Sequence, residues 1–88
     1  MPKFVALLTF KNEYQRLQVR PKHREYLASL LEQGKLVLSG PFADDSGALI
    51  IYEADKEEEV REFIAADPYT AADAIAELEL REWKQIYP

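Results

Sequence analysis

The stretch KLVLSGPFADDSGALIIYEA, residues 35–54, decides how the rest of the chain folds. KLVLSGPF is a short apolar run closed by Gly40-Pro41, ADDSG carries turn residues, and ALIIYEA is a second apolar run. Such a pair reads as a β-hairpin with a loop of several residues. Its place in the middle of the chain matters, because both flanks read as a helix followed outward by a strand.

Upstream, in RPKHREYLASLLEQG (20–34), Pro21 suits the first position of a helix. His23, Tyr26, Leu27, Leu30 and Leu31 recur at the three-and-four spacing of one helix face, and Gly34 supplies a left-handed stop. Lys11 to Val19 reads as a polar loop, and KFVALLTF (3–10) as the first strand. Downstream, Asp55 is placed to cap a helix, with Glu58 three residues on completing a capping box. Val60, Phe63 and Ile64 form that helix's apolar stripe, and Asp67-Pro68 ends it. In AIAELELREWKQIYP (74–88), Ala76, Leu78 and Leu80 alternate with Glu77, Glu79 and Arg81, which predicts a final strand. Helix competes there, because Ala, Glu and Leu are good helix formers. The resulting order, β-α-β-β-α-β, predicts an α+β fold of the ferredoxin-like type: a four-stranded antiparallel sheet with two helices on one face.

The opposite face of that sheet needs cover as well. In the first strand Phe4, Ala6, Leu8 and Phe10 alternate with Val5, Leu7 and Thr9, so both sides are apolar or nearly so, and ALIIYEA behaves alike. Continuous apolar strands indicate burial on both faces. A second copy packed sheet to sheet would supply the cover, and the burial that a small domain lacks, so a homodimer through the sheet face is expected. The plainer alternative is an apolar patch left on the surface.

Composition narrows the function. The 88 residues carry no break that marks a second domain, so residues 1–88 are read as one unit, 48% hydrophobic and 31% charged. The absence of cysteine and the single histidine exclude a disulfide framework and a thiolate nucleophile, and make a metal centre an unfavoured reading. A net charge of -5 with a pI near 4.8 argues against a nucleic-acid partner. The apolar run near the N-terminus is too short for a membrane span, so no membrane partner and a cytoplasmic location are expected.

His23 shares its helical face with Leu27 and Leu30 and points toward the sheet. A lone His in such a place is often structural; its chemical case is an imidazole that titrates near neutrality. A catalytic imidazole needs a carboxylate to fix its tautomer. Asp67 lies at a helix end before Pro68, where a simple capping role is equally natural. Ser39 next to a Gly-Pro turn reads first as a backbone-bonding hydroxyl. Arg16, Arg20, Lys22 and Arg24 form a basic cluster that could attract an anionic substrate, and Tyr69 and Trp83 are candidates for a pocket wall.

Taken in order, Arg20, His23, Tyr26, Leu27, Leu30, Gly34, Leu36, Gly40 and Pro41, then Asp67, Pro68 and Tyr69, resemble the YCII-related (YciI-like) family over nearly the whole chain. The resemblance implies the dimeric α+β barrel version of the ferredoxin-like fold, and a His and Asp acting together, at His23 and Asp67. One departure is visible: where members often carry a Gly beyond the DPY segment, this chain has AADA with Asp73. The expectation is a cofactor-independent enzyme that uses the His23–Asp67 pair for proton transfer, lyase-like or isomerase-like, on a small organic substrate of anionic character. Ser39, Tyr69 and Arg20 would contact that substrate. The alternative is a non-catalytic small-molecule binding or regulatory dimeric module.

Overall fold

The computed structural model describes all 88 residues. Its elements are β1 (Lys3–Phe10), α1 (Glu13–Glu32), β2 (Leu36–Pro41), β3 (Gly47–Glu53), α2 (Glu57–Ala65), α3 (Pro68–Ala71) and β4 (Ile75–Trp83). The strands lie in the order β2-β3-β1-β4, and every neighbour is antiparallel. This is the ferredoxin-like α+β fold. The short, deeply apolar β1 takes the centre, pairing Phe4 with Tyr52 and Ala6 with Ile50 on one side and Ala6 with Leu80 on the other.

Strand alternation sends Phe4, Ala6, Leu8, Ile50 and Tyr52 to one face, where Leu27 and Leu30 of α1 and Val60 and Ile64 of α2 cover them. Both helices therefore share one face. The other face carries Val5, Leu7, Leu38, Leu49 and Ile51, with Glu77, Glu79 and Arg81 along β4. Leu7 and Leu38 are exposed there, and Trp83 ends the row near the open edge.

Two backbone positions admit little but the residue present. Gly34 closes α1 with φ of 75°, and a Cβ at Gly47 would run into the carbonyl oxygen of Leu8. Asp73, the departure noted above, holds a left-handed φ of 55°, a conformation that Gly adopts without penalty and Asp tolerates. Its carbonyl accepts a 2.7 Å hydrogen bond from Asn12 Nδ2 and its carboxylate meets Lys11 Nζ at 3.0 Å, which ties the start of α1 to the start of β4.

Four local expectations need correction. Residues 13–19 are the first two turns of α1, not a loop, and Pro21 lies inside the helix instead of at its first position. The buried residue in those turns is Arg16, so a search for apolar periodicity passes over them. Leu31 is exposed, since the inward stripe runs Arg16, His23, Leu27, Leu30. The capping box does not form: α2 is capped by the extended Lys56 without a side-chain bond, and its start is instead favoured by Glu57, Glu58 and Glu59 against the helix dipole. The final strand forms as expected, and a four-residue helix, α3, follows the Asp67-Pro68 break.

Candidate functional site

Asp67 is held by the chain's local grammar. It is the N-cap of α3, with Pro68 at the first helical position, and its Oδ1 accepts the Tyr69 backbone N–H at 2.9 Å. The same carboxylate receives His23 Nδ1, at 2.8 Å to Oδ1 and 3.0 Å to Oδ2. Capping and imidazole pairing are thus one arrangement. Both side chains are buried, Asp67 at 2% exposure and His23 at 7%. The His23 ring stacks on Tyr69, with centroids 3.7 Å apart and planes 4° from parallel, and Phe10 meets Tyr69 edge-on at 5.6 Å.

The carboxylate acts on its surroundings. Burial pushes the Tyr52 and Tyr26 phenols above their ordinary range, and the Asp67 charge adds to both. Burial likewise pushes Tyr69 up, while the Arg16 guanidinium, with Arg20 and Arg24 further off, works against it. With Asp67 as acceptor, Nδ1 carries the imidazole proton and Nε2 keeps its lone pair. Nε2 makes no hydrogen bond within the protein, yet Arg16 Nε is the sole side-chain polar atom both fully enclosed and unpartnered. Nε2 is therefore not fully enclosed, and its ring lines the cavity.

That cavity has a volume of about 280 Å³ and lies between α1, the β2–β3 hairpin and Tyr69. Arg16, Arg20 and Arg24 line it from one ridge of α1, four residues apart, with Leu27 on the same helix; Ser39, Gly40 and Pro41 line it from β2. Arg16 is 3% exposed, lies 4.4 Å above the Phe10 ring, and donates to Asp45 through Nη2 at 2.7 Å and Nη1 at 3.5 Å. Burial disfavours its charge, but the Asp45 carboxylate and the Tyr69 phenol outweigh that and hold the guanidinium above its ordinary value.

Of the residues singled out from the sequence, His23, Ser39, Tyr69 and Arg20 all line this cavity, and Asp67 stands behind His23. Trp83 does not; it borders a shallow groove formed with the two termini. Arg24 and Arg16 were visible only as members of a basic cluster, and Asp45 only as part of a turn. Extending α1 back to Glu13 would have aligned the three arginines. No three His, Asp or Glu side chains converge as metal ligands do.

The chain is similar to several known proteins. The YjpA protein of Bacillus subtilis (strain 168) is 36% identical over 78 residues, which covers 89% of this chain and 91% of that one. The YciI protein of Escherichia coli O6:H1 is 29% identical, covering 82% of this chain and 84% of its own length. Among solved structures, the 5-chloro-2-hydroxyhydroquinone dehydrochlorinase of Burkholderia phenoliruptrix AC1100, in complex with 2,5-dihydroxybenzoquinone, matches with a TM-score of 0.80 and 27% identity over 93% of each chain. The family model for the YCII-related domain matches residues 3–84, nearly end to end, and the chain belongs to that family.

Proposed function

We propose that the protein is a small-molecule enzyme in which Asp67 orients His23 and Nε2 of His23 moves a proton on a small anionic substrate. The observation that carries this reading is the division of labour on one imidazole: Nδ1 is bound to a buried carboxylate, while Nε2 has no protein partner on a ring that lines the cavity. Such a ring is a base with a fixed tautomer, and its protonated form is stabilised where it arises. Tyr69, stacked flat against it, fixes the plane in which the lone pair points. Ser39 and Tyr69 supply hydroxyls to the substrate, and Arg20 supplies charge.

The similar dehydrochlorinase supports the reaction class. Removing hydrogen chloride from an organic ring takes off a proton, a step that suits an imidazole base and needs no redox cofactor. We therefore place the activity among lyase-like or isomerase-like proton transfers on one-ring acids or phenols. A thermal-shift screen of such compounds, including 5-chloro-2-hydroxyhydroquinone, would be followed by turnover assays on the hits. His23→Ala should lower turnover by roughly 10²- to 10⁴-fold. Unchanged turnover would leave the cavity as a binding or regulatory site without chemistry.

The working unit in this proposal is a homodimer joined through the open sheet face, where Val5, Leu7, Leu38, Leu49 and Ile51 form an apolar centre. Sedimentation at micromolar concentration should give twice the monomer mass, and Leu7→Glu, at an exposed position, should give the monomer with its fold intact. A wild-type monomer would refute the dimer without touching the chemistry. No helix is long and apolar enough to cross a membrane, and together with the cysteine-free composition this supports a cytoplasmic setting.

A further inference from the structure

We propose that Arg16 anchors the anionic group of the molecule taken by the cavity, and that Asp45 is an internal carboxylate which that group displaces. The proposal rests on the cavity being a small-molecule site. It assigns the site a ligand chemistry, a one-ring carboxylate or phenolate, and an anchor distinct from the proton-transfer pair.

The two partners of this ion pair differ in what separation would cost them. The Arg16 side chain is 3% exposed, whereas that of Asp45 is 45% exposed at the tip of the β2–β3 turn. Asp45 can return to water with little change in its hydration, but the buried guanidinium left behind requires another anion. The present pairing also underuses the donors. One Arg16 nitrogen makes a short bond to Asp45 at 2.7 Å, a second sits at the 3.5 Å limit, Nε is enclosed without an acceptor, and the neutral Tyr69 phenol is the other group acting on the guanidinium. A guanidinium offers five N–H groups in a planar fork, so a flat two-oxygen anion entering from the cavity could engage it better.

The turn itself is poised for release. Asp45 holds a left-handed φ of 61°, which Asp tolerates, and its half-exposed carboxylate can turn out to water by side-chain rotation with the turn backbone in place. Asp45 is also the one carboxylate on the cavity wall, facing Arg16, Arg20 and Arg24 in a chain of net charge -5. An incoming anion meets a local excess of positive charge, with a single internal competitor.

Calorimetric titration with benzoate and with its neutral counterpart benzamide tests this on the full chain. Asp45→Asn, at an exposed turn position, should tighten benzoate roughly tenfold, the scale of one charged competitor removed, and leave benzamide unmoved. Arg16→Gln should abolish the preference for benzoate over benzamide, and melting temperatures will show which variants fold. If Arg16→Gln does not fold, Asp45→Asn alone decides. Benzoate binding that is absent, or that Asp45→Asn leaves unchanged or weakens, overturns the exchange. The proton-transfer reading fails separately: if His23→Ala keeps full turnover while Asp45→Asn tightens benzoate, the anchor stands and the catalytic role falls.

Discussion

Two carboxylate–nitrogen pairs serve the cavity, an inner one in which Asp67 stands behind His23 and an outer one in which Asp45 meets Arg16 on the wall, and they are made differently. At the inner end Asp67 is 2% exposed and is held by a backbone N–H and an imidazole, on a helix cap that Pro68 stiffens. At the outer end Asp45 reaches in from a turn, half in water, and holds Arg16 by one good bond. The first arrangement is suited to orientation, because the carboxylate has no other stable place to go. The second is suited to exchange, because water offers Asp45 an alternative. The same pairing of charges thus serves two purposes, according to how deeply the acid is buried.

Stability measurements can break this contrast. Asp67→Ala leaves the α3 N–H uncapped and the buried imidazole unpartnered, and should cost about 3 kcal/mol in chemical denaturation. Asp45→Ala leaves Arg16 without its carboxylate but beside a cavity that water can enter, and should cost less, about 2 kcal/mol. Equal losses would mean that the outer pair is as structural as the inner one. The dryness of the core around Asp67 can be sharpened by alkaline titration. Tyr52, Tyr26 and Tyr69 all have raised pKa values in the folded state, chiefly through burial. Folding therefore favours the neutral phenols, a contribution complete below the unfolded value of about 10 and lost as pH climbs from there through the folded value. Tyr52→Phe removes the most strongly shifted of the three and should move the alkaline unfolding midpoint up by about a few tenths of a pH unit. A midpoint that stays put would indicate that water reaches the Tyr52 hydroxyl in the folded state.

The framework of the molecule was legible because it obeys local rules. The hairpin at 35–54, the continuous apolar run of β1, the alternation of β4, Gly34 and the Asp67-Pro68 break each announce themselves by residue type, and each forms where it was read. The inner end of the site was half legible: the spacing of His23 with Leu27 and Leu30 gives its direction, but a cap at Asp67 gives no hint of a partner 44 residues away. Only the family pattern joined them. The outer end was illegible for a physical reason. Arg16 takes a core position while being the most polar of side chains, so it erased the periodicity that would have extended α1 and revealed the arginine ridge. Its burial is stabilised by Asp45, 29 residues on, and such long-range pairing leaves no local trace.

Because His23 is the only histidine, every imidazole signal of the protein belongs to it, and long-range ¹H–¹⁵N correlation spectra read its tautomer directly. In the neutral ring the proton should reside on Nδ1, bound to Asp67, with Nε2 unprotonated, and addition of a one-ring anion should shift Nε2 far more than Nδ1. A neutral ring protonated at Nε2, or an Nε2 resonance indifferent to every cavity ligand, would contradict the account.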